Sequence, residues 1–460
     1  MELRAKEGFF TRDREFYRTV FTLMLTVALQ NIVSYSVNMV DNIMLGSYSQ
    51  AALSGAATVN QIFFMVQQFG MSLGEALIVL NAQYWGQKNR AAVQRLTGIA
   101  LGFGLATGAL IFLLCALLPR QLVQIFTNDA VIIGQGVEYL EIIRYTFPLF
   151  LVTNILMAAL RSVETTKISF YTSIVSLVVN VGINYVLIFG NFGAPEMGVR
   201  GAAVGTLAAR VVELGIVVVY LCRFDNKLCL LQRETSNGTR RLTWDYVRIL
   251  IPVAMSQVLW AVSVPMQTAI LGHISSDAIA ANSVATTFFQ YLKVVVVAMS
   301  SVCSVMIGRT VGRGDWQELK AQTRTLALLC VSMGAVLGVA LFLLSGPLLT
   351  LYDLNENTLH LAKQLMVLLS FVMVGMSYQM PVSLGIMRGG GDVKFAAMTN
   401  VISTWCIVMP LSFCSAFWWK WPVLWVVVMI QSDQFFKCIP YALRVRRYDK
   451  WVKLLTREGL

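Results

Sequence analysis

The chain has 460 residues, 57% of them hydrophobic and only 13% charged, with a net charge of +12. Such a composition, carried in long runs free of charge, excludes a soluble enzyme and means a protein of the lipid bilayer. The positive balance does not point to nucleic acid, because the basic residues fall between the apolar runs, as they do in the cytoplasmic loops of membrane proteins. Eight cysteines show no CxxC or metal spacing, and most lie in apolar runs, where a thiol is a small hydrophobe.

In chain order the apolar pattern predicts twelve spans, at about 17–45, 52–83, 95–118, 132–160, 168–190, 199–222, 246–271, 278–308, 321–346, 358–387, 395–418 and 422–443. Several exceed the roughly 20 residues that a crossing needs, so tilt or kinks are expected. The first 18 residues mix Arg4, Lys6, Arg12, Arg14 and Arg18 with Glu2, Glu7, Asp13 and Glu15. They show no signal-peptide pattern, so the start is expected in the cytoplasm. Counting from that side, Lys88, Arg90, Arg95, Arg161, Lys167, Arg223, Lys227, Arg309, Arg313, Arg388 and Lys394 all fall in cytoplasmic segments. The opposite loops hold only Arg120, Arg200 and Lys420. This asymmetry predicts a plasma (inner) membrane protein with both termini cytoplasmic.

The longest polar stretch, 223–245, includes Arg233 and the run from Glu234 to Gly238, and reads as a cytoplasmic linker. It separates an N-lobe, 1–222, from a C-lobe, 246–443, each with six spans. The tail, 444–460, is basic and carries Trp451, Leu454, Leu455 and Arg457, the pattern of a short amphipathic helix on the cytoplasmic membrane face. The halves repeat at an offset of 226 positions. Asp41-Asn42-Ile43-Met44-Leu45-Gly46 returns as Gln267-Thr268-Ala269-Ile270-Leu271-Gly272, and Gly86 returns as Gly312. Repeats with an even number of spans are parallel, related by a pseudo-two-fold axis along the membrane normal. The fold class expected is an all-α membrane protein of twelve helices in two six-helix lobes.

Only the first copy keeps the acid. Asn31, Ser34, Asn38 and Asp41 share one helical face of the first span, and Ser173, Ser176, Asn180 and Asn184 share one face of the fifth. Thr206, Arg210 and Glu213 follow on the sixth. Polar groups facing lipid would leave hydrogen bonds unmade, so these stripes should face a bundle interior or a wet cavity. Gluing helices together explains the Ser and Asn residues as well as function does; Asp41 favours function. Gln61, Gln68 and Glu75 recur every seven residues on the second span, Glu75 being either a second titrating group or an acid reaching headgroup water. Lys293 is mid-span, with Gln67 as its repeat partner, and reads as a snorkelling or paired lysine or as a substitute for a cation. Arg210 with Glu213, and Asp433 with Lys437, have the spacing of structural ion pairs. Gly98, Gly102, Gly104 and Gly108 permit close helix packing. Gly389-Gly390-Gly391 is no phosphate loop, because no GxxxxGK[ST] accompanies it.

Taken together, the chain resembles the multidrug and toxic compound extrusion (MATE) family over about residues 16–443. The residues that carry the likeness are Val40 to Gly46, Tyr84-Trp85-Gly86-Gln87, the loop from Asn191 to Ala203, Leu207 to Glu213, and Met387 to Asp392. The resemblance implies a transporter, not an enzyme, with no cofactor: a monomeric multidrug antiporter, embedded in the lipid bilayer, that exports small organic cations against a proton or sodium gradient. In the DinF-like branch the coupling-ion site matches Asp41, Asn180, Asn184 and Thr206, with Asn184 standing where the family often has an acid. The NorM-like acids of the second lobe correspond here to Trp260 and Ser377. The bend that the family makes at a proline in its first helix falls at Thr26.

The mechanism expected is alternating access, in which Asp41 takes a proton from outside and the substrate leaves. Asn31, Ser34, Asn38, Gln61, Gln68, Trp260, Gln267 and Lys293 are the candidate substrate-lining residues, with Phe288, Phe289, Met266 and Met376 as adaptable apolar surface. A charge crossing the membrane gains about 2.3 kcal/mol per 100 mV, so exchange of one proton for one monovalent cation would draw only on the pH difference. Sodium is the rival coupling ion, with Asp41 as its carboxylate. The alternative function is a lipid-linked sugar flippase of the same superfamily, which predicts a basic cavity. A channel fits poorly with paired repeats that differ by an acid, and a membrane hydrolase lacks a nucleophile with a partner base.

Overall fold

The computed structural model describes residues 10–11, 13–230, 239–349 and 355–456. The charged residues of the first nine positions, Arg12, the linker from Arg233 to Gly238, and Arg457 lie outside that set. The regular structure of the described residues is helical. Its first half comprises α1 (Arg14–Tyr48), α2 (Gln50–Gly86), α3 (Arg90–Leu117), α4 (Pro119–Gln124), α5 (Ala130–Ile143), α6 (Thr146–Ser162), α7 (Lys167–Phe189) and α8 (Val199–Arg223). The second comprises α9 (Thr239–Gly272), α10 (Ser276–Arg313), α11 (Trp316–Leu349), α12 (Glu356–Met380), α13 (Val393–Val401), α14 (Met409–Phe413), α15 (Val423–Gln431), α16 (Asp433–Phe436), α17 (Cys438–Val445) and α18 (Tyr448–Trp451).

Eleven of the described helices are long and apolar enough to cross a bilayer, and the pair α5 and α6 makes a twelfth crossing bent by 50°. The sequence pattern reads that pair as one span, 132–160. It breaks at Arg144-Tyr145 because Pro148 has no N–H for the Arg144 carbonyl and its ring crowds that oxygen. Helix α1, with Thr26 where a proline would bend it, runs unbroken for 35 residues. The Thr26 hydroxyl simply donates to the Thr22 carbonyl, 2.7 Å away. Wider π turns occupy Pro381–Met387, Ile402–Val408 and Cys414–Trp418. The first begins at a proline, which cannot donate to the carbonyl four residues back.

Contacts group Leu29–Asn81 with Asn89–Leu250 as one unit, and the described parts of Met1–Ala28, Ala82–Lys88 and Ile251–Glu458 as another. These units do not share the boundaries of the sequence halves: the described parts of 1–28 and 82–88 group with those of 251–458. Residues 239–250, part of which reads as linker, are the opening turns of α9. There Tyr246 is fully buried in the first unit, donating to the Leu73 carbonyl at 2.9 Å beside the Phe103 ring. Conversely, Phe16, Val20 and Leu23 of α1 sit in a core of the second unit with Met299, Val302, Met306 and Met387. In the first unit, Gly108 of α3 lets the helix close on α6: a Cβ there would meet Pro148 Cα at 2.7 Å. Gly104 faces Ile155 in the same way, whereas Gly98 and Gly102 face open space.

The tail departs from expectation. Its described residues form no amphipathic surface helix: after the single turn of α18 they run without regular secondary structure to Thr456. Trp451 is fully buried in the second unit's core, its indole N–H donating to the Val445 carbonyl at 3.0 Å. The Lys453 amide donates to the Gly390 carbonyl at 2.7 Å, and the Leu455 amide to Gln83 Oε1 at 2.8 Å. Asp392, itself buried, accepts from Arg444 Nη2 and Lys453 Nζ, each at 2.7 Å. The triple glycine is the seat of this strap. A Cβ on Gly390 would overlap the Trp451 ring, and Gly391 has a φ of +96° that L side chains rarely adopt. Truncating a buried tryptophan costs about 3–5 kcal/mol. Trp451→Ala is therefore expected to lower the unfolding temperature of the detergent-solubilised protein, and an unchanged melting curve would show that the strap contributes no stability.

Candidate functional site

The buried face of α7 is polar. Ser169, Thr172, Ser173, Ser176, Asn180 and Asn184 all point inward. The hydroxyls are satisfied by their own helix, as where Ser173 donates to the Ser169 carbonyl at 3.0 Å and Thr172 to Ile168 at 2.8 Å. An asparagine cannot do this so cheaply and looks outward for partners. Asn184 Nδ2 donates to Asp41 Oδ1 at 2.5 Å and lies 3.4 Å from Asn180 Oδ1. Asn180 Nδ2 lies 3.4 Å from Thr206 Oγ1, whose own proton goes to the Ala202 carbonyl at 3.1 Å.

Small residues on α8 make the meeting possible. A Cβ on Gly201 would lie 2.6 Å from the Leu187 carbonyl carbon, and one on Gly205 would strike Asn184 Oδ1. The amide can therefore reach Asp41 only because α8 presents hydrogen atoms at those two positions. Asp41, Asn180 and Asn184 are all buried, and Asn184 Oδ1 has no hydrogen-bond partner. Tyr139 of α5 completes the cluster: buried itself, it feels the Asp41 charge and reaches Thr206. Sequence reading missed it, since a tyrosine in an apolar run carries no signal of its own.

Charge beside the cluster comes from Arg210, one turn beyond Thr206. Its Nη1 lies 2.6 Å from Glu213 Oε2, and its guanidinium packs over the rings of Phe150 and Phe63, at 5.3 and 6.0 Å from their centroids. The pair is structural in its immediate contacts, but the guanidinium also acts electrostatically on Asp41.

The remaining candidates are dispersed. In the first unit Asn31 is half-buried, while Ser34, Asn38 and Gln61 are exposed and Gln68 is buried. Ser34 donates to the Gln30 carbonyl at 3.0 Å. The first-span stripe thus does not face inward as a whole: Asp41 meets Asn184 of α7, while Ser34, two turns earlier on nearly the same side of α1, is exposed. Glu75 is half-buried in the electrostatic field of Arg161. Trp260, Gln267 and Lys293 belong to the second unit. There Phe289 and Met376 pack inside an apolar core rather than lining a surface, and Ser377 is fully buried. Among the described residues no group of three or more His, Cys, Asp or Glu side chains is placed to hold a metal.

A duplicated helical bundle whose first copy holds a buried carboxylate on an amide and hydroxyl cluster, while the second has a glutamine in register, belongs to the class of multi-pass membrane transporters. A family model described as MatE matches residues 26–186 and 252–414, segments that start 226 positions apart, as the internal repeat does. The chain belongs to this family, the multidrug and toxic compound extrusion transporters, and is not an enzyme. It is 23% identical to the probable multidrug resistance protein YoeA of Bacillus subtilis over 90% of this chain and 89% of that one. It is 25% identical to the probable multidrug resistance protein NorM of Thermotoga maritima, over 96% and 95%. Its fold matches that of a multidrug resistance MATE family transporter solved in an outward-facing conformation, with a TM-score of 0.85 at 15% identity, covering 96% of this chain and 99% of that one.

Removing one partner of an enclosed ion pair strands the other charge, at about 3–5 kcal/mol, whereas replacing both with apolar groups is far milder. Glu213→Leu should destabilise the protein strongly and Arg210→Met/Glu213→Leu much less, as read by thermal unfolding in detergent. Equal losses would show that the pair is not a closed unit.

Proposed function

We propose that the chain exports small organic cations across the plasma membrane in exchange for protons, by alternating access, with both termini cytoplasmic and Asp41 as the proton-binding group. The observation that carries the reading is the Asn184–Asp41 hydrogen bond inside an apolar bundle. It sets a carboxylate where its charge is costly and holds it with neutral donors only. The names of the curated relatives, multidrug resistance proteins, support a drug-like substrate.

Asp41 and Asn184 are also why the proton is preferred over sodium. An ionised carboxylate only accepts hydrogen bonds, and here it accepts the Asn184 amide. Sodium needs several oxygens turned toward it, whereas Asn184 turns its N–H toward Asp41, and the nearby Arg210 opposes a second cation. Protonation makes Asp41 a donor as well. Its new proton suits the unpartnered Asn184 Oδ1, but that oxygen is reached only if the amide turns or α1 shifts against α7. The protonation state is thereby tied to helix position. The exposed Ser34, Asn38 and Gln61 of α1 and α2, with the half-buried Asn31, supply polar contacts for the departing cation.

An imposed pH difference in sodium-free proteoliposomes should drive ethidium accumulation, and Asp41→Asn should reduce it to the level of empty liposomes. Undiminished export by that variant would end the proposal. With exchange of one proton for one cation, a potassium-diffusion potential alone should drive nothing, because no net charge moves. Asn184→Asp, which adds a second carboxylate, is expected to make accumulation respond to a sodium gradient; a variant indifferent to sodium would show that Asn184 does not set ion choice.

A further inference from the structure

The two copies of the repeat differ in the sign of the one ionisable group each adds at these registers. Asp41 of the first has Gln267 as its counterpart, and Lys293 of the second has Gln67. Lys293 lies near the middle of α10, the most enclosed of the described spans, with 78% of its most apolar stretch buried. An ammonium there is expensive unless something compensates it.

The second unit supplies a surface for it but no counter-ion. Lys293 Nζ sits 5.1 Å from the centroid of the Trp260 ring of α9. The acid that acts on it electrostatically, Asp433, is already engaged at both oxygens. Oδ2 is 2.6 Å from Lys437 Nζ, and Oδ1 accepts from Gln434 Nε2 at 2.8 Å. Gln434 is in turn fixed by Gln379, whose Nε2 donates to Gln434 Oε1 at 2.7 Å. Lys437 therefore matches Asp433 charge for charge, and Lys293 remains the surplus cation, making no ion pair among the described residues. It is also reachable, since Lys293 is only half-buried and Trp260 is 38% exposed.

We propose that the second unit carries an anion-recognition site, centred on the Lys293 ammonium against the Trp260 indole, that takes the carboxylate of an aromatic compound. The ammonium supplies the charge and the indole the flat apolar surface beside it, so a ring bearing a carboxylate satisfies both. The lysine and its partners all belong to the second unit, so the site is tested separately from ion coupling at Asp41.

The test is equilibrium binding, without any ion gradient, of 2-naphthoate and its neutral isostere 2-naphthamide to the full-length protein in phosphatidylcholine nanodiscs. The wild type should prefer the naphthoate by about ten-fold or more. Lys293→Gln should abolish that preference while leaving naphthamide binding unchanged, and Lys293→Arg should keep it. If Lys293→Gln does not yield a monodisperse protein, Lys293→Met provides the same neutralisation. A wild type that does not discriminate, or a neutralised variant that still does, would overturn the proposal. Neither outcome bears on proton-driven export, which is measured separately with a cationic substrate.

Discussion

The first unit is arranged around one constraint: a carboxylate placed inside an apolar bundle must be given hydrogen-bond donors by its own neighbours, because the bilayer offers none. Asp41 meets it through the Asn184 amide, backed by Asn180, Thr206 and Tyr139. Most of what surrounds the cluster follows from that need. Helix α7 turns a row of hydroxyls and amides inward, and α8 carries glycine at 201 and 205 so that the two helices approach closely enough for Asn184 to extend. A fully apolar cluster of the same shape would pack more cheaply, so the polar arrangement is a sign of function rather than of stability.

Arg210 and Glu213 show how charge is managed beside such a group. The guanidinium is neutralised at short range by Glu213 and spread over two aromatic faces, yet its field still reaches Asp41. A fixed positive charge next to the acid leaves less room for a metal cation than for a proton, which carries no coordination shell. The same logic, inverted, applies to the second unit. There the strap of the C-terminal tail uses Arg444 and Lys453 to neutralise Asp392. Lys437 neutralises Asp433, while Lys293, beside Trp260, makes no ion pair among the described residues. At two registers of the duplicated scaffold, an acid in one copy and a base in the other each have a glutamine as the repeat counterpart.

Much of this was legible from the sequence. Long apolar runs and the distribution of Lys and Arg fixed the number of crossings, because helical periodicity is strong when nearly every residue in the run is apolar. The i, i+3, i+4 spacing of Ser173, Ser176, Asn180 and Asn184 foretold an inward polar face on α7. What was not legible arose from contacts between distant segments. Nothing in the local pattern shows that Trp451 is buried on the Gly389–Gly391 turn, since a basic tail with Trp and Leu reads equally well as a surface helix. Tyr139 is invisible for the same reason. Ser34 and Asn38 share a helical face with Asp41 yet are exposed, because a shared face does not show at which turns a neighbouring helix covers it. The break of the fourth span at Arg144 lay within reach, through Pro148, but a proline in an apolar run signals a kink without giving its angle.

The central claim is that Asp41 exchanges its proton for the substrate's positive charge. The direct measurement is proton release on binding, with purified protein in weakly buffered, sodium-free detergent solution, a pH-sensitive dye, and tetraphenylphosphonium added in steps. The account predicts that the wild type releases a proton for each cation bound and that Asp41→Asn, titrated at matched occupancy, releases none. Equal release by the two proteins would place the exchanged proton elsewhere and contradict the account.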